Sequence, residues 1–253
     1  MVGICLSGGG ARGMAHIGVL KALEEHAISP KYISGASAGS IIGSLYAAGL
    51  SPDEILEIAS KQSLFKAFRL GFSGMGLTNL NHLRGILEEH IKYDDFDQLR
   101  KKLFVCVSNM NKGLYEILDS GKLFDAVIAS SSIPIFFDPV EINGQRYADG
   151  GLLNNLPVEP LKGVCDLVIG VNVMPYGPVE PDNLNSMVEM GYRVMDLVVW
   201  SNVKSRIVQC DVVIESEGVY EYGLFDFGKS KEIYELGYQA ALKQIPNILK
   251  ATL

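Results

Sequence analysis

The chain opens on a short apolar run, Val2-Gly3-Ile4-Cys5-Leu6-Ser7, cut off by Gly8-Gly9-Gly10. Such a run ended by glycines predicts a buried strand of a parallel sheet. From Gly13 to Ala27 the period changes. Met14, Ile17, Val19, Leu20 and Leu23 recur at helical spacing, and Lys21, Glu24 and Glu25 take the other face. Ser29-Pro30 ends that unit, and Tyr32-Ile33-Ser34 predicts a second strand. Strand, helix and strand at this spacing make a βαβ unit. The small-residue run Ser40 to Ala48 predicts the next helix, with Gly49 as its C-cap. Ser51-Pro52-Asp53-Glu54 then combines an N-cap serine, proline at the first helical position and a glutamate three residues on. It predicts a helix to about Lys61.

Leu64 to Gly76 departs from this pattern. Leu64, Phe65, Phe68, Leu70 and Phe72 alternate with Lys66 and Arg69, and Gly71, Gly74 and Gly76 loosen the backbone. The stretch reads either as a mobile flap giving peripheral membrane contact or as an ordinary core-packing helix and loop. Leu80 to Ile91 is helical again. Leu103 to Val107 and Leu114 to Leu118 predict a hairpin across Asn111-Lys112-Gly113, and Leu123 to Ser130 a helix packed inward. Asn143-Gly144 predicts the turn of a second hairpin, from Glu141-Ile142 to Gln145-Arg146-Tyr147. Leu167 to Val173 is a strand, Leu184 to Ile207 a long amphipathic helix, Val212 to Ile214 a last short strand, and Lys229 to Leu249 a final helix. No repeat, low-complexity run or linker interrupts the pattern, so residues 1–253 read as one α/β domain with a largely parallel sheet.

Composition narrows the function classes. With 48% hydrophobic and 20% charged residues, the chain has enough apolar material for a sizeable core. A formal charge of −7 argues against nucleic acid as a partner. The four cysteines, Cys5, Cys106, Cys165 and Cys210, match no metal or redox spacing and read as small buried hydrophobes. Met1 leads straight into a strand, so no targeting segment is expected. The longest uncharged apolar stretch, Ala36 to Leu50, is short of the ~20 residues of a membrane span. The expectation is a cytoplasmic protein that meets lipid, if at all, peripherally at the inner membrane face. The oligomeric state is left open.

Two glycine-bracketed motifs carry the chemistry. Gly8-Gly9-Gly10-Ala11-Arg12-Gly13 satisfies G-x-G-x-x-G between a strand and a helix. A dinucleotide site would want an acid at the end of the second strand, where this chain has Ile33-Ser34-Gly35. The other readings are a tight turn without a ligand, or a nest of N–H groups that holds an oxyanion. Gly35-Ala36-Ser37-Ala38-Gly39 satisfies G-x-S-x-G between a strand and a helix, the setting of a nucleophile elbow. Its serine needs a base. The histidines are His16, His26, His82 and His90, and none falls late in the chain, where a Ser–acid–His order would place it. His16, one turn into the first helix, is a packed histidine or one that approaches the loops. The alternative base is Asp149, which follows a hairpin strand and precedes Gly150-Gly151.

Those three motifs, in this order, resemble the patatin-like phospholipase family over about Val2 to Pro160. Two further blocks agree with it. Ala129-Ser130-Ser131-Ser132-Ile133-Pro134, with Phe136, Phe137 and Pro139-Val140, is similar to the family's block before its aspartate. Leu152-Leu153-Asn154-Asn155-Leu156-Pro157 is similar to the block after it. Ala36 stands where the family often has threonine. The resemblance implies a three-layer α/β/α fold, a Ser37–Asp149 dyad without a catalytic histidine, and an oxyanion hole from Gly8, Gly9, Gly10 and Gly13 with Arg12 in support. Gly35, Gly39, Gly150 and Gly151 shape the two turns. It implies hydrolysis of lipid acyl esters, through an acyl-enzyme and without a metal or cofactor. Ile135, Phe136 and Phe137 line an acyl groove or pack in the core. A non-catalytic lipid-binding or regulatory module on the same fold is the alternative. Nothing in the resemblance speaks to Val179–Leu253.

Overall fold

The computed structural model of the chain describes residues 1–60, 80–134, 136–179 and 184–251. The first strand, β1 (Val2–Leu6), is central. It pairs in parallel with β2 (Tyr32–Ala36) on one edge and with β7 (Leu167–Asn172) on the other. β2 continues in parallel to β3 (Lys102–Asn109), and β7 to β8 (Val212–Glu215). Three antiparallel additions complete the sheet. β4 (Leu114–Leu118) and β6 (Gln145–Asp149) both pair with β3, and β5 (Val140–Ile142) pairs with β6. The β5–β6 turn is the predicted Asn-Gly turn, with positive φ at Asn143 and Gly144, as a two-residue hairpin requires. The sheet is thus mixed and mostly parallel, and the chain is α/β as its pattern predicts.

The helices are α1 (Met14–Glu25), α2 (Ala38–Ala48), α3 (Pro52–Ser60), α4 (Asn81–His90), α5 (Leu123–Ser130), α6 (Met187–Ile207) and α7 (Ser230–Ala251). Side-chain alternation along β1 sorts them into layers. Ile4 and Leu6 enter a large core with residues of α1 to α5 and α7. Cys5 enters a smaller core with Leu156, Val168 and Val203 of α6. Contact between α1 and α7 is close because both present glycine at the crossing. A Cβ on Gly18 would overlap the Tyr234 carbonyl, and one on Gly237 the Ala15 carbonyl.

Local signals account for the helix ends. Glu54 returns to the Ser51 N–H at 2.8 Å, the predicted capping arrangement. Ser186 and Glu189 form a second capping box, at the start of α6. Among the described residues no helix is long and apolar enough to cross a membrane. All four cysteines are free, with Cys5 and Cys106 buried and Cys165 and Cys210 part-buried. The expected flap or core segment, Leu64 to Gly76, lies outside the described residues, as does Ile135.

Candidate active site

β2 stops at Ala36, α2 begins at Ala38, and Ser37 alone makes the turn between them. Its backbone sits at φ 50 and ψ −124, a conformation that costs a non-glycine residue roughly 1–3 kcal/mol. Neighbouring contacts hold it there. Ser130, the last residue of α5, accepts the Ser37 N–H at 2.9 Å and donates to the Cys106 carbonyl at 2.6 Å. The Ser37 carbonyl receives the N–H groups of Ser40 and Ile41. Gly39 lets α2 pass over β1, since a Cβ there would overlap the Leu6 carbonyl, and Gly35 packs directly on Gly39.

Asp149 comes to Ser37 through the register of β3. Cys106 is paired with Ala36 of β2 and with Ile117 of β4, so β2 and β4 flank opposite edges of β3. Val107 is paired with Glu116 of β4 and with Asp149 of β6. β6 therefore lies on the same edge as β2, and the two strands meet end to end. The residue after Ala36 and the last residue of β6 are brought together by consecutive positions of one strand. The backbone of Asp149 is then fixed on both sides. Its N–H donates to the Ser132 carbonyl at 2.9 Å, and its own carbonyl accepts from Ser108 Oγ at 2.8 Å.

The side chains are nearly dry, with Ser37 and Asp149 each 6% exposed. Asp149 Oδ1 accepts the Gly151 N–H at 2.7 Å, while Oδ2 has no partner in hydrogen-bonding geometry. Burial pushes the Asp149 carboxyl up to about 6, against the opposing pull of the Ser37 side chain and of the Gly151 N–H. The Ser37 side chain is thus near enough to favour the charged carboxylate. His16 is excluded from this pair. It is fully buried in α1, its Nε2 meets the Ser7 carbonyl at 2.7 Å, and burial lowers its pKa to about 4.

The glycine loop divides by position. Gly8 has its N–H committed to Asn155, whose Oδ1 lies 3.1 Å away, and its carbonyl accepts Asn155 Nδ2 at 3.3 Å. No acceptor among the described residues takes the N–H of Gly9 or Gly10, and both line the cleft in front of Ser37. Gly13 packs under the elbow, where a Cβ would stand 2.7 Å from that of Ala38. Gly150 lies against the Cys106 carbonyl, and Gly151 against Asn155 and Asp149.

Arg12, expected to support the oxyanion hole, makes its side-chain hydrogen bonds to the C-terminal segment and to Met174. Its Nε donates to the Tyr222 carbonyl at 2.6 Å and a terminal nitrogen to the Tyr220 carbonyl at 3.4 Å. Burial lowers its pKa, while Asp196 and Asp226 oppose that shift. The long side chain turns away from the loop's free N–H groups and pins the C-terminal segment. That segment in turn receives the Ala11 N–H at the Leu224 carbonyl, 2.8 Å.

The pattern of the chain does not announce the groups that join these loops. Asn202 of α6 accepts the Asn155 N–H at 2.9 Å and donates to the Gly151 carbonyl at 3.0 Å. One side chain thereby ties the glycine loop, through Asn155, to the turn that carries Asp149. The cleft wall also comes from late in the chain, with Met195 and Val199 of α6, Leu224 and Phe225 facing Ser37. Phe136 joins that wall, whereas Phe137 is buried in the main core. The one legible hint was apolar spacing in α6, which predicts a buried face without saying what it covers. Among the described residues, no group of three or more His, Cys, Asp and Glu side chains could hold a metal ion.

A mostly parallel α/β sheet with a strained elbow serine facing an aspartate at a strand end defines a class of protein. The patatin-like phospholipase family model matches residues 4–162, and the chain belongs to that family. It is 29% identical over 272 residues to lysophospholipase NTE1 of Kluyveromyces lactis, covering 94% of this chain and 18% of that protein. The match to lysophospholipase NTE1 of Candida albicans is also 29%, over 95% of this chain and 20% of that one. The chain thus spans about a fifth of the length of these curated relatives. The crystal structure of VipD from Legionella pneumophila shares the fold, with a TM-score of 0.57 at 17% identity, over 97% of this chain and 66% of that one.

Proposed function

We propose that this chain hydrolyses carboxylic esters of lipids, with Ser37 as nucleophile and Asp149 as base. Ser37 Oγ attacks the ester carbonyl while its proton passes to Asp149. The oxyanion is held by the N–H groups of Gly9 and Gly10, each such donor supporting the transition state by ~3 kcal/mol. The leaving alcohol departs with the proton, and the acyl group stays on Ser37. Water then attacks the acyl-serine. Asp149 takes the water's proton and returns it to Ser37 Oγ as the fatty acid leaves.

One observation carries this reading. A buried carboxylate with an unpartnered oxygen and a carboxyl raised to about 6 faces an elbow serine in an apolar cleft. That is the setting in which an aspartate becomes a useful base at neutral pH. The relatives named lysophospholipase make lysophospholipids the first substrates to try.

Labelling by a fluorophosphonate and release of fatty acid from a lysophospholipid panel test the proposal. Ser37→Ala should lose both. Asp149→Asn should keep the fold and lower turnover about 10²- to 10⁴-fold. Full activity in Ser37→Ala would end the proposal, and near-normal turnover in Asp149→Asn would require another base.

A further inference from the structure

Helix α6 is apolar on two sides. Its inner side supplies Val203 to the smaller core, and Met195 and Val199 to the cleft. Met187, Met190, Val194, Leu197 and Val198 are 40 to 89% exposed. Their spacing places all five on one side of the helix, opposite Val203. A continuous apolar stripe open to water, on a helix whose other face walls the cleft, calls for a partner.

The groups beside the stripe identify its chemistry. Tyr176 and Trp200 pack with ring centroids 4.7 Å apart. Arg193 lies 5.6 Å from the Tyr176 ring, and Lys204 5.4 Å from the Trp200 ring. Beside the stripe the helix carries Arg193 and Lys204, with Glu189 in its first turn, whereas Arg206 turns inward and pairs with Glu159 at 2.8 Å. Asp196 is turned toward the cleft and Arg12. Past its first turn the outer side of the helix is therefore cationic, through Arg193 and Lys204, in a chain of net charge −7. Apolar side chains flanked by paired aromatics and cations match the boundary between acyl chains and anionic head groups.

We propose that this outer face of α6 docks the protein on an anionic lipid surface, which sets the cleft against the membrane that supplies its substrate. This rests on the lipid-ester reading of the site. It uses an element distinct from Leu64–Gly76.

The chain has one tryptophan, Trp200, so its emission reports on this face alone. The Ser37→Ala protein is mixed with vesicles of phosphatidylglycerol and phosphatidylcholine, and with vesicles of phosphatidylcholine only. Binding and a blue shift of emission are expected with the anionic vesicles. Replacing Val194, Leu197 and Val198 together by serine should weaken that binding about tenfold or more. In the wild-type background the same triple variant should hydrolyse a short, soluble ester as before. The proposal falls if Ser37→Ala does not bind the anionic vesicles, or if the triple variant binds them equally well. It also falls if the chain is a dimer that the triple variant dissociates, since a second copy then covers the stripe. Vesicle binding without turnover of the soluble ester would uphold the docking face and remove the hydrolase reading instead.

Discussion

Asp149 is held where its charge is costly. Its folded pKa of about 6 lies above the ordinary aspartate value of 3.8, so between those pH values the folded chain binds more protons than the unfolded one. Stability therefore falls as pH rises through this window, and it stays lowered above it. The size is on the order of 3 kcal/mol. Asp149→Asn, neutral and able to keep the Gly151 N–H, should raise the thermal midpoint by several degrees at pH 8 and hardly at all at pH 4. On the proposed mechanism turnover should follow the opposite sign, because Asp149 must be ionised to act as base. In the wild type kcat/KM should rise with pH on a single limb near pH 6. A limb near 4, or an unchanged midpoint in Asp149→Asn, would mean that the carboxylate is solvated and does not work as described.

Among the elements, α6 is the one whose contribution exceeds its local pattern. Asn202 contacts both loops through backbone groups only. Asn202→Ala should therefore lower kcat about tenfold or more with KM little changed, and cost about 1–3 kcal/mol of stability. A loss of stability with kcat intact would reduce Asn202 to a structural tie. Most elements were legible beforehand, and for local reasons. Leu123–Ser130 has helical apolar spacing, Asn143-Gly144 carries its own turn geometry, and Ser51 with Glu54 signals a helix start. The resemblance set Ser37 beside Asp149, but what brings the two residues near each other, the shared edge of β3, belongs to strand register. The resemblance gave Arg12 a supporting role but not its contacts, because its length lets it reach carbonyls more than two hundred residues away. The Asn155–Asn202 link has no period or spacing to betray it, and which face of α6 turns inward depends on a core that only the folded sheet creates.

At the scale of the molecule, the stretch matched by the family model, 4–162, is not the structural unit. β1 takes its second neighbour from β7, α1 is covered by α7, and the cleft is walled by Met195, Val199, Leu224 and Phe225. A fragment of residues 1–162 should accordingly show no cooperative thermal transition by circular dichroism and take up no fluorophosphonate. A sharp transition in that fragment would show that the later elements only decorate a finished domain. The central place of β1 has a temporal side. Leu167, the start of its second neighbour, follows Leu6 by 161 residues, or on the order of ten seconds of ribosomal synthesis. For that interval one row of β1 amide and carbonyl groups is an open edge, a template for pairing with other chains. The serine leaves the ribosome early and the wall of its cleft last, so a nascent chain carries Ser37 long before the cleft around it exists.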